Sequence, residues 1–434
     1  MVIKMIIHIV EQGETIWSIS QEYGISPERL IADNGLWGLN VLVAGQALMI
    51  LQPETVYTVN AGDTPYSISQ KFGISVNNLK QKNPSLAQTN TINTGEILTV
   101  SYVGESNTDV SIYGFLYPNI KTNILNQSLP FLEKAALFSY GIKANGELVT
   151  LNDSQLISRL KGADTAPIMV LSSINEEGNF DSSVASEVFN DAAIQDVLIE
   201  NIINTLKERG YAGIDIDFEY VSSDDRDVFI RFVSKIHSSL NPLGYSVNVD
   251  LAPKTSSTQT GVLYEGHDYA ELGEAADTVM VMTYEWGYTY SEPMAVAPIN
   301  QVKKVLDYAV SQIDRNKIYM GIPNYGYDWK LPYEKGITRA RLIGNEEAIS
   351  IASQHNAYIE FDEKSQTPYF TYISDDGANH EVWFEDIRSI KAKFDLRDEY
   401  NLRGVAYWNL MRSFNQNWIY SGYRYNPIKQ LFFS

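Results

Sequence analysis

The chain predicts an α/β protein: a TIM-type (β/α)8 barrel with a small α+β insertion, preceded by two small βααβ domains. Three observations carry this prediction. Eight apolar, β-rich runs follow one another from Val110 onward. Helical patterns such as Ala192–Arg209 and Asp224–Leu240 lie between several of them. Ahead of them, one segment recurs at a spacing of 49 residues.

The repeat comes first along the chain. His8–Ser26 aligns without gaps on Tyr57–Ser75, with 10 identities in 19 positions, and Leu30/Leu79 and Asn34/Asn83 keep the same register. Each copy reads as strand, Gly-Asp/Glu-Thr turn, short helix, second helix, glycine turn and strand. Thr15 and Thr64 are placed to cap the first helix, and Gly24 and Gly73 to end it. The two domains span 1–51 and 52–101. Met1–Val10 is apolar but short and lacks a small-residue cleavage site, so it reads as a first strand and not as a cleavable signal peptide.

These repeats resemble the LysM module, a binder of N-acetylglucosamine-containing glycans such as peptidoglycan and chitin. The resemblance implies that glycan lies across the loop after the first strand, Gly13, Glu14, Thr15 and Ile16 in one copy and Gly62, Asp63, Thr64 and Pro65 in the other. It also implies second loops around Trp37 and Leu86. Tyr66 stands where the first copy has Trp17.

A short polar linker, 102–109, leads into the barrel at 110–434. Its strand runs are Val110–Tyr117, Ala135–Tyr140, Pro167–Ile174, Ala212–Tyr220, Tyr245–Ala252, Thr278–Tyr284, Ile318–Tyr325 and Gly404–Trp408. Near-continuous apolar runs are what parallel strands covered on both faces require. The stretch between the last two runs is too long for one crossover. Its strand-like pieces Tyr358–Phe361, Pro368–Tyr372 and Glu381–Phe384 predict an insertion at about 330–385.

Chemistry concentrates in Tyr211-Ala-Gly-Ile-Asp-Ile-Asp-Phe-Glu-Tyr220. Acids are poor strand formers, yet Asp215, Asp217 and Glu219 interrupt an apolar run. Period two puts them on one face and Ile214, Ile216 and Phe218 on the other. The acidic face must enter the barrel, with Glu219 nearest the C-terminal mouth where barrel enzymes react. Three confined carboxyls cannot all ionise, so at least one keeps the proton a general acid needs. A metal cage would want more oxygen or histidine ligands, and five scattered histidines show no such spacing.

This segment resembles the D-x-x-D-x-D-x-E signature of glycoside hydrolase family 18. Three of its four acids are present, and Ala212 replaces the first, the acid that in the family helps set its neighbours' ionisation. The strand-six segment with Tyr284 and Glu285 and the strand-eight segment ending at Trp408 resemble the same family. The resemblance implies Glu219 as general acid and base, Asp217 as the group that orients the 2-acetamido nucleophile, Asp215 as its tuner and Tyr284 as a further acetamide contact. It implies Trp408, Glu285, Trp286, Asn324 and Tyr325 as substrate contacts. Tyr288, Tyr290, Tyr327 and Trp329 cluster nearby as possible stacking surfaces.

Two LysM modules before a family 18 barrel are similar to the N-acetylglucosaminidases that degrade spore cortex in bacilli. A retaining, substrate-assisted peptidoglycan hydrolase is therefore expected, with a chitinase or a silent glycan-binding lectin as alternatives. The expected location is the spore coat or cortex, or the cell wall. No cofactor or metal is expected, and the protein is expected to be a monomer. A formal charge of −20 gives no footprint for nucleic acid or anionic lipid, and no apolar run is long enough to span a bilayer. Cysteine is absent, which removes thiol catalysis and disulfide frameworks. The modules are expected to deliver the enzyme to insoluble substrate, and residues 107–434 to work on soluble substrate without them.

Overall fold

A computed structural model describes residues 5–38, 41–175 and 179–429. Eight parallel strands form the barrel: β1 (Asp109–Leu116), β2 (Lys134–Ile142), β3 (Ala166–Ser172), β4 (Gly213–Asp217), β5 (Ser246–Leu251), β6 (Thr278–Val281), β7 (Ile318–Pro323) and β8 (Gly404–Trp408). Their order runs β1-β8-β7-β6-β5-β4-β3-β2, and pairing of β1 with β2 closes the ring. Every expected run overlaps one of them, and the first three strands begin one residue earlier than expected. The runs at 212–220, 278–284 and 318–325 leave the ladder early at their C-terminal ends, where the chain turns out into the mouth.

One crossover helix shows both of its ends set by local backbone chemistry. Asp191 caps Ala192–Arg209 by accepting from the N–H groups of Ala193 and Ile194, and Gly210 closes it at φ 78°. After β7 a five-stranded antiparallel sheet forms from Gly326–Lys330, Arg341–Ile343, Glu360–Asp362, Thr367–Ile373 and Asn379–Trp383, with helix Asn345–Gln354 beside it. Its first strand continues directly from the barrel, so the insertion begins a few residues before the expected 330.

The first repeat pairs Ile6–Ile9 with Ala47–Ile50 around helices Ile16–Tyr23 and Pro27–Asn34. Residues 1–4 of the expected first strand lie outside the described residues. The second pairs Pro53–Thr58 with Ile97–Tyr102 around Pro65–Phe72 and Val76–Lys82. Thr15 and Thr64 cap their helices, and Gly24 and Gly73 end them at φ 66° and 67°. Asn34 and Asn83 do one job in both copies. Each donates to the carbonyl four residues back and exchanges two bonds with the last strand, at Met49 and Thr99.

Both modules are built into the barrel. The last helix, Asn415–Arg424, packs on Pro27–Asn34 and on Val76–Lys82. Gln416 Nε2 donates to Asn34 Oδ1 and Ala47 O, both at 2.9 Å. Val43 completes the insertion's apolar core with Ile343, Phe370 and Phe384, while Ala47, Met49, Leu51 and Tyr102 belong to the barrel's core cluster. The modules also grip each other: buried Asp33 pairs with Arg29 at 2.6 Å and accepts from the Tyr102 hydroxyl at 2.7 Å.

Candidate active site

The acids form a column inside the barrel. β4 is wholly buried, with Ile214 and Ile216 in the apolar shell and Asp215 and Asp217 within the ring. Asp215 lies deepest. Tyr113 of β1 donates its hydroxyl to one carboxylate oxygen, and Asn248 Nδ2 of β5 donates to the other at 3.0 Å. Thr278 of β6 fixes that amide by donating to its oxygen at 2.8 Å. Ala212, standing where the family signature has its first acid, sits half-buried before the strand against the hydrophobic core.

A fourth carboxyl completes the column, and sequence reasoning missed it. Asp250, buried on β5, accepts from Asn248 Nδ2 at 3.2 Å. Burial pushes Asp250 well above the usual carboxylate range, and the neighbouring charges of Asp215 and Asp217 push it further. Burial also raises Asp215, but hydrogen bonds from Tyr113, Asn248 and Asp250 pull it back. Of the two, Asp250 therefore holds a proton the more tightly and Asp215 gives one up the more readily. The signal was present: Ser246, Asn248 and Asp250 recur at period two within an otherwise apolar run.

Asp217 lies above this pair. Burial raises its carboxyl strongly, with Glu219 and Asp215 adding repulsion. Its Oδ1 is buried without a hydrogen-bond partner. A buried polar atom left unpaired is uncommon and calls for a reason. Glu219 follows just past the strand end, half-buried, and burial followed by the charge of Glu285 raises its carboxyl too. Holding its proton more tightly than an ordinary carboxyl and open to the mouth, it is equipped to donate a proton.

The mouth opens as a cleft of about 770 Å³, lined among others by Asp217, Glu219, Asp250, Tyr284, Glu285, Trp286, Tyr327 and Trp408. Trp408 is clasped edge-on by Phe138, Phe115 and Tyr117, with ring centroids 4.9, 5.8 and 6.2 Å away, and shows only part of its surface. Tyr284 lies against Gly321 of β7, where an added Cβ would sit 2.7 Å from its Cε1. Glu285 adopts φ 68°, costly for a residue with a Cβ, and is held there by the hydroxyls of Tyr325 and Tyr327. Burial raises its carboxyl, and those two hydroxyls oppose the rise.

The remaining expected residues separate. Tyr325 is buried behind Glu285 and acts on the cleft through it. Asn324 is also buried and donates to the carbonyls of Asn409 and Arg412, tying down the loop after β8 instead of lining the cleft. Trp329 is fully buried with its indole N–H on Ser291 O, so it is core and not a stacking platform. Tyr288 and Tyr290 are exposed on the rim loop. The wall from Pro253 to Tyr264, rich in Thr and Ser, carried no sequence signal.

On the modules, the turns of Gly13 to Ile16 and Gly62 to Pro65 lie at the surface, exposed or half-buried. Trp17 and Tyr66 are exposed by 67% and 66%, facing solvent and not the module cores. Leu86 departs from expectation. It is buried on a short extra helix, Pro84–Thr89, so no open loop surrounds it as one does Trp37. Residues 39 and 40 of the loop after Trp37 lie outside the described residues.

The chain matches the profile of glycosyl hydrolases family 18 over residues 99–412, and that of the LysM domain over 8–50 and 57–101. It is 38% identical over 416 residues to the cortical fragment-lytic enzyme of Bacillus anthracis, covering 94% of this chain and 96% of that protein. Among solved structures it is similar to the Bacillus cereus spore cortex-lytic enzyme SleL, with a TM-score of 0.82 and 35% identity over 98% of this chain and 99% of that one. A Chromobacterium violaceum chitinase aligns with a TM-score of 0.66 and 25% identity, over 72% and 98% of the two chains.

Proposed function

Because the chain belongs to glycosyl hydrolases family 18 and carries two LysM domains, we propose that it hydrolyses N-acetylglucosaminyl bonds in spore-cortex peptidoglycan fragments during germination. The observation that carries the proposal is the unpartnered, buried Asp217 Oδ1 beside Glu219 in the cleft. An acetamide N–H is a donor of the kind that oxygen lacks.

In this reading the 2-acetamido oxygen attacks the anomeric carbon while the bond to the leaving sugar breaks. Glu219 gives its proton to the departing oxygen. Asp217 accepts from the acetamide N–H, and the Tyr284 hydroxyl donates to the acetamide oxygen, holding charge that develops only at the transition state. Glu219 then takes a proton from water, which opens the oxazolinium ring on the face the leaving sugar vacated. Anomeric configuration is retained. Substrate-assisted families stand outside the scheme of two opposed carboxylates. Here Asp217 and Glu219 rise from one strand, so both approach the sugar from one side and leave the nucleophile's place to the substrate. Glu285 serves as a hydroxyl contact and Trp408 as the floor under the ring.

The LysM domains support attachment to N-acetylglucosamine-containing glycan, hence a location on the spore or cell wall. The test is mass spectrometry of digested cortex, with proton NMR of the first product. Muropeptides ending in reducing N-acetylglucosamine, released faster than products from chitin oligomers and in the retained configuration, are expected. Faster cleavage of chitin oligomers would move the assignment to a chitinase, and an inverted product would remove the mechanism.

A further inference from the structure

A cavity of about 210 Å³ lies where the first LysM domain meets the barrel's insertion. Its walls are fixed on both sides. Gly45 presses so closely on the insertion that an added Cβ would lie 2.0 Å from Ile359 O, and Asn415 Nδ2 donates to Ala32 O at 2.6 Å. None of the residues from Gly13 to Ile16 lines it, so it is separate from the first of the two loops expected to carry glycan in this module, while Trp37 of the second loop forms one of its walls.

Two side chains lining the cavity have an uncommitted polar atom. Asn345 is buried and uses its oxygen to accept from Glu385 N at 2.9 Å, yet its Nδ2 has no partner. Glu385 is equally buried. One carboxylate oxygen holds Lys393 at 2.7 Å, and the other, Oε1, has no partner. One donor and one acceptor are therefore left unpaired among the walls of one small cavity. Leu36 and Phe384 add buried apolar surface, and Trp37, 54% exposed, forms part of the wall open to solvent.

We propose that this cavity is a subsite for one neutral acetamido sugar, shared between the LysM domain and the catalytic domain. An acetamide carries what the walls lack on adjacent atoms: a carbonyl for Asn345 Nδ2, an N–H for Glu385 Oε1 and a methyl for the apolar surface, while Trp37 offers a face to the ring. The carboxyls of Glu346, Glu347 and Asp386, also in the lining, disfavour anionic groups. A cation fits less well. Among the described residues, only His8, Glu14 and Glu22 bring three ligand atoms within 4.8 Å of one another, and they lie elsewhere. The subsite would add to the grip on a long glycan through effective concentration. The inference rests on the proposed acetamido-glycan specificity, and its test keeps the two apart.

The seven tryptophans make the test site-specific. Full-length Glu219→Gln protein labelled with 5-fluorotryptophan is titrated with tri-N-acetylchitotriose and, as control, cellotriose, and followed by fluorine NMR. Trp37 reports the cavity, Trp17 the module turn, and Trp286 and Trp408 the cleft. The acetylated sugar alone is expected to shift Trp37. Asn345→Leu should weaken that response about tenfold or more while the Trp286 and Trp408 responses persist. Asn345→Asp, which keeps the shape and the bond from Glu385 N but removes the donor, should do the same. A Trp37 response unchanged by both variants, or no response while the cleft tryptophans shift, overturns the subsite. No response at any tryptophan overturns the acetamido-glycan reading beneath it.

Discussion

At the scale of single residues, five carboxyls crowd one end of the barrel, and which of them carry protons decides the chemistry. Glu219→Gln keeps shape but cannot give a proton, so turnover should fall by about 10²–10⁴-fold while sugar binding survives. Glu285 is the charge that, after burial, most raises Glu219. Neutralising it in Glu285→Gln should let Glu219 ionise at lower pH, moving the alkaline limb of kcat/KM toward acid. A limb that stays in place would show that burial alone sets the value. Asp250 offers a stability test whose sign follows from linkage. Its folded value lies above its unfolded value of about 3.9, so the native state holds the proton more tightly and stability falls as pH rises from there through the folded value. Asn cannot titrate but still donates to Asp215. Asp250→Asn should therefore keep most activity and gain in Tm over the parent as pH is raised from 4 to 8, whereas Asp250→Leu should lose activity about tenfold or more, leaving Asp215 short of a donor. A gap that does not widen with pH would reject Asp250 as the proton carrier. Asp217 and Glu219 stood out in the sequence because acids interrupt an apolar strand there. Asp250 escaped because the polar face it shares with Ser246 and Asn248 carries only one acid.

At the scale of elements, the barrel was legible because strands covered on both faces must be apolar throughout, and eight such runs admit few other folds. Their C-terminal ends were not. Tyr284 and Tyr325 extend their apolar runs, but tertiary contacts at the mouth pull them off the ladder. Short edge strands such as Arg341–Ile343 carry too few residues to show a period. The extra helix at Pro84–Thr89 was hidden by the repeat, whose register equated buried Leu86 with exposed Trp37. Gly321 shows how one element sets another's chemistry. With no side chain, β7 lets Tyr284 lie flat against it, and an alanine Cβ would meet both Tyr284 Cε1 and Val281 O at 2.7 Å. Gly321→Ala should displace the Tyr284 hydroxyl, lowering kcat by on the order of 10²-fold with a smaller change in KM, since misplacement by about an ångström can cost that much. Overpacking should also cost about 1–3 kcal/mol in stability, measured by urea unfolding. Unchanged kcat would remove Tyr284 from the acetamide's partners.

At the scale of the whole molecule, the modules depart from the picture of tethered delivery domains. A chain of six residues, 103–108, joins them to the barrel, but the connection that matters is packing. Val43 closes the insertion's core, four residues from the modules sit in the barrel's own cluster, and the last helix is clamped between both repeats. The sequence showed a polar joint and two complete repeats, each with its own small core, and nothing in either pattern announced surfaces shared with the barrel. Cooperativity follows. If the cores are shared, modules and barrel lose their fold together, and calorimetry of the full chain should show one transition. Val43→Ala, though it lies in a glycan-binding module, should weaken the insertion by roughly 1–3 kcal/mol through the cavity it leaves, and it should lower the temperature at which activity on soluble muropeptides is lost. Residues 107–434 alone would expose apolar surface on the insertion and along helix Asn415–Arg424. That fragment should aggregate or melt well below the full chain, contrary to the independence expected of a tethered barrel. Two resolved transitions, with the upper one unmoved by Val43→Ala, would restore that independence and make the packed arrangement only one of several the modules visit.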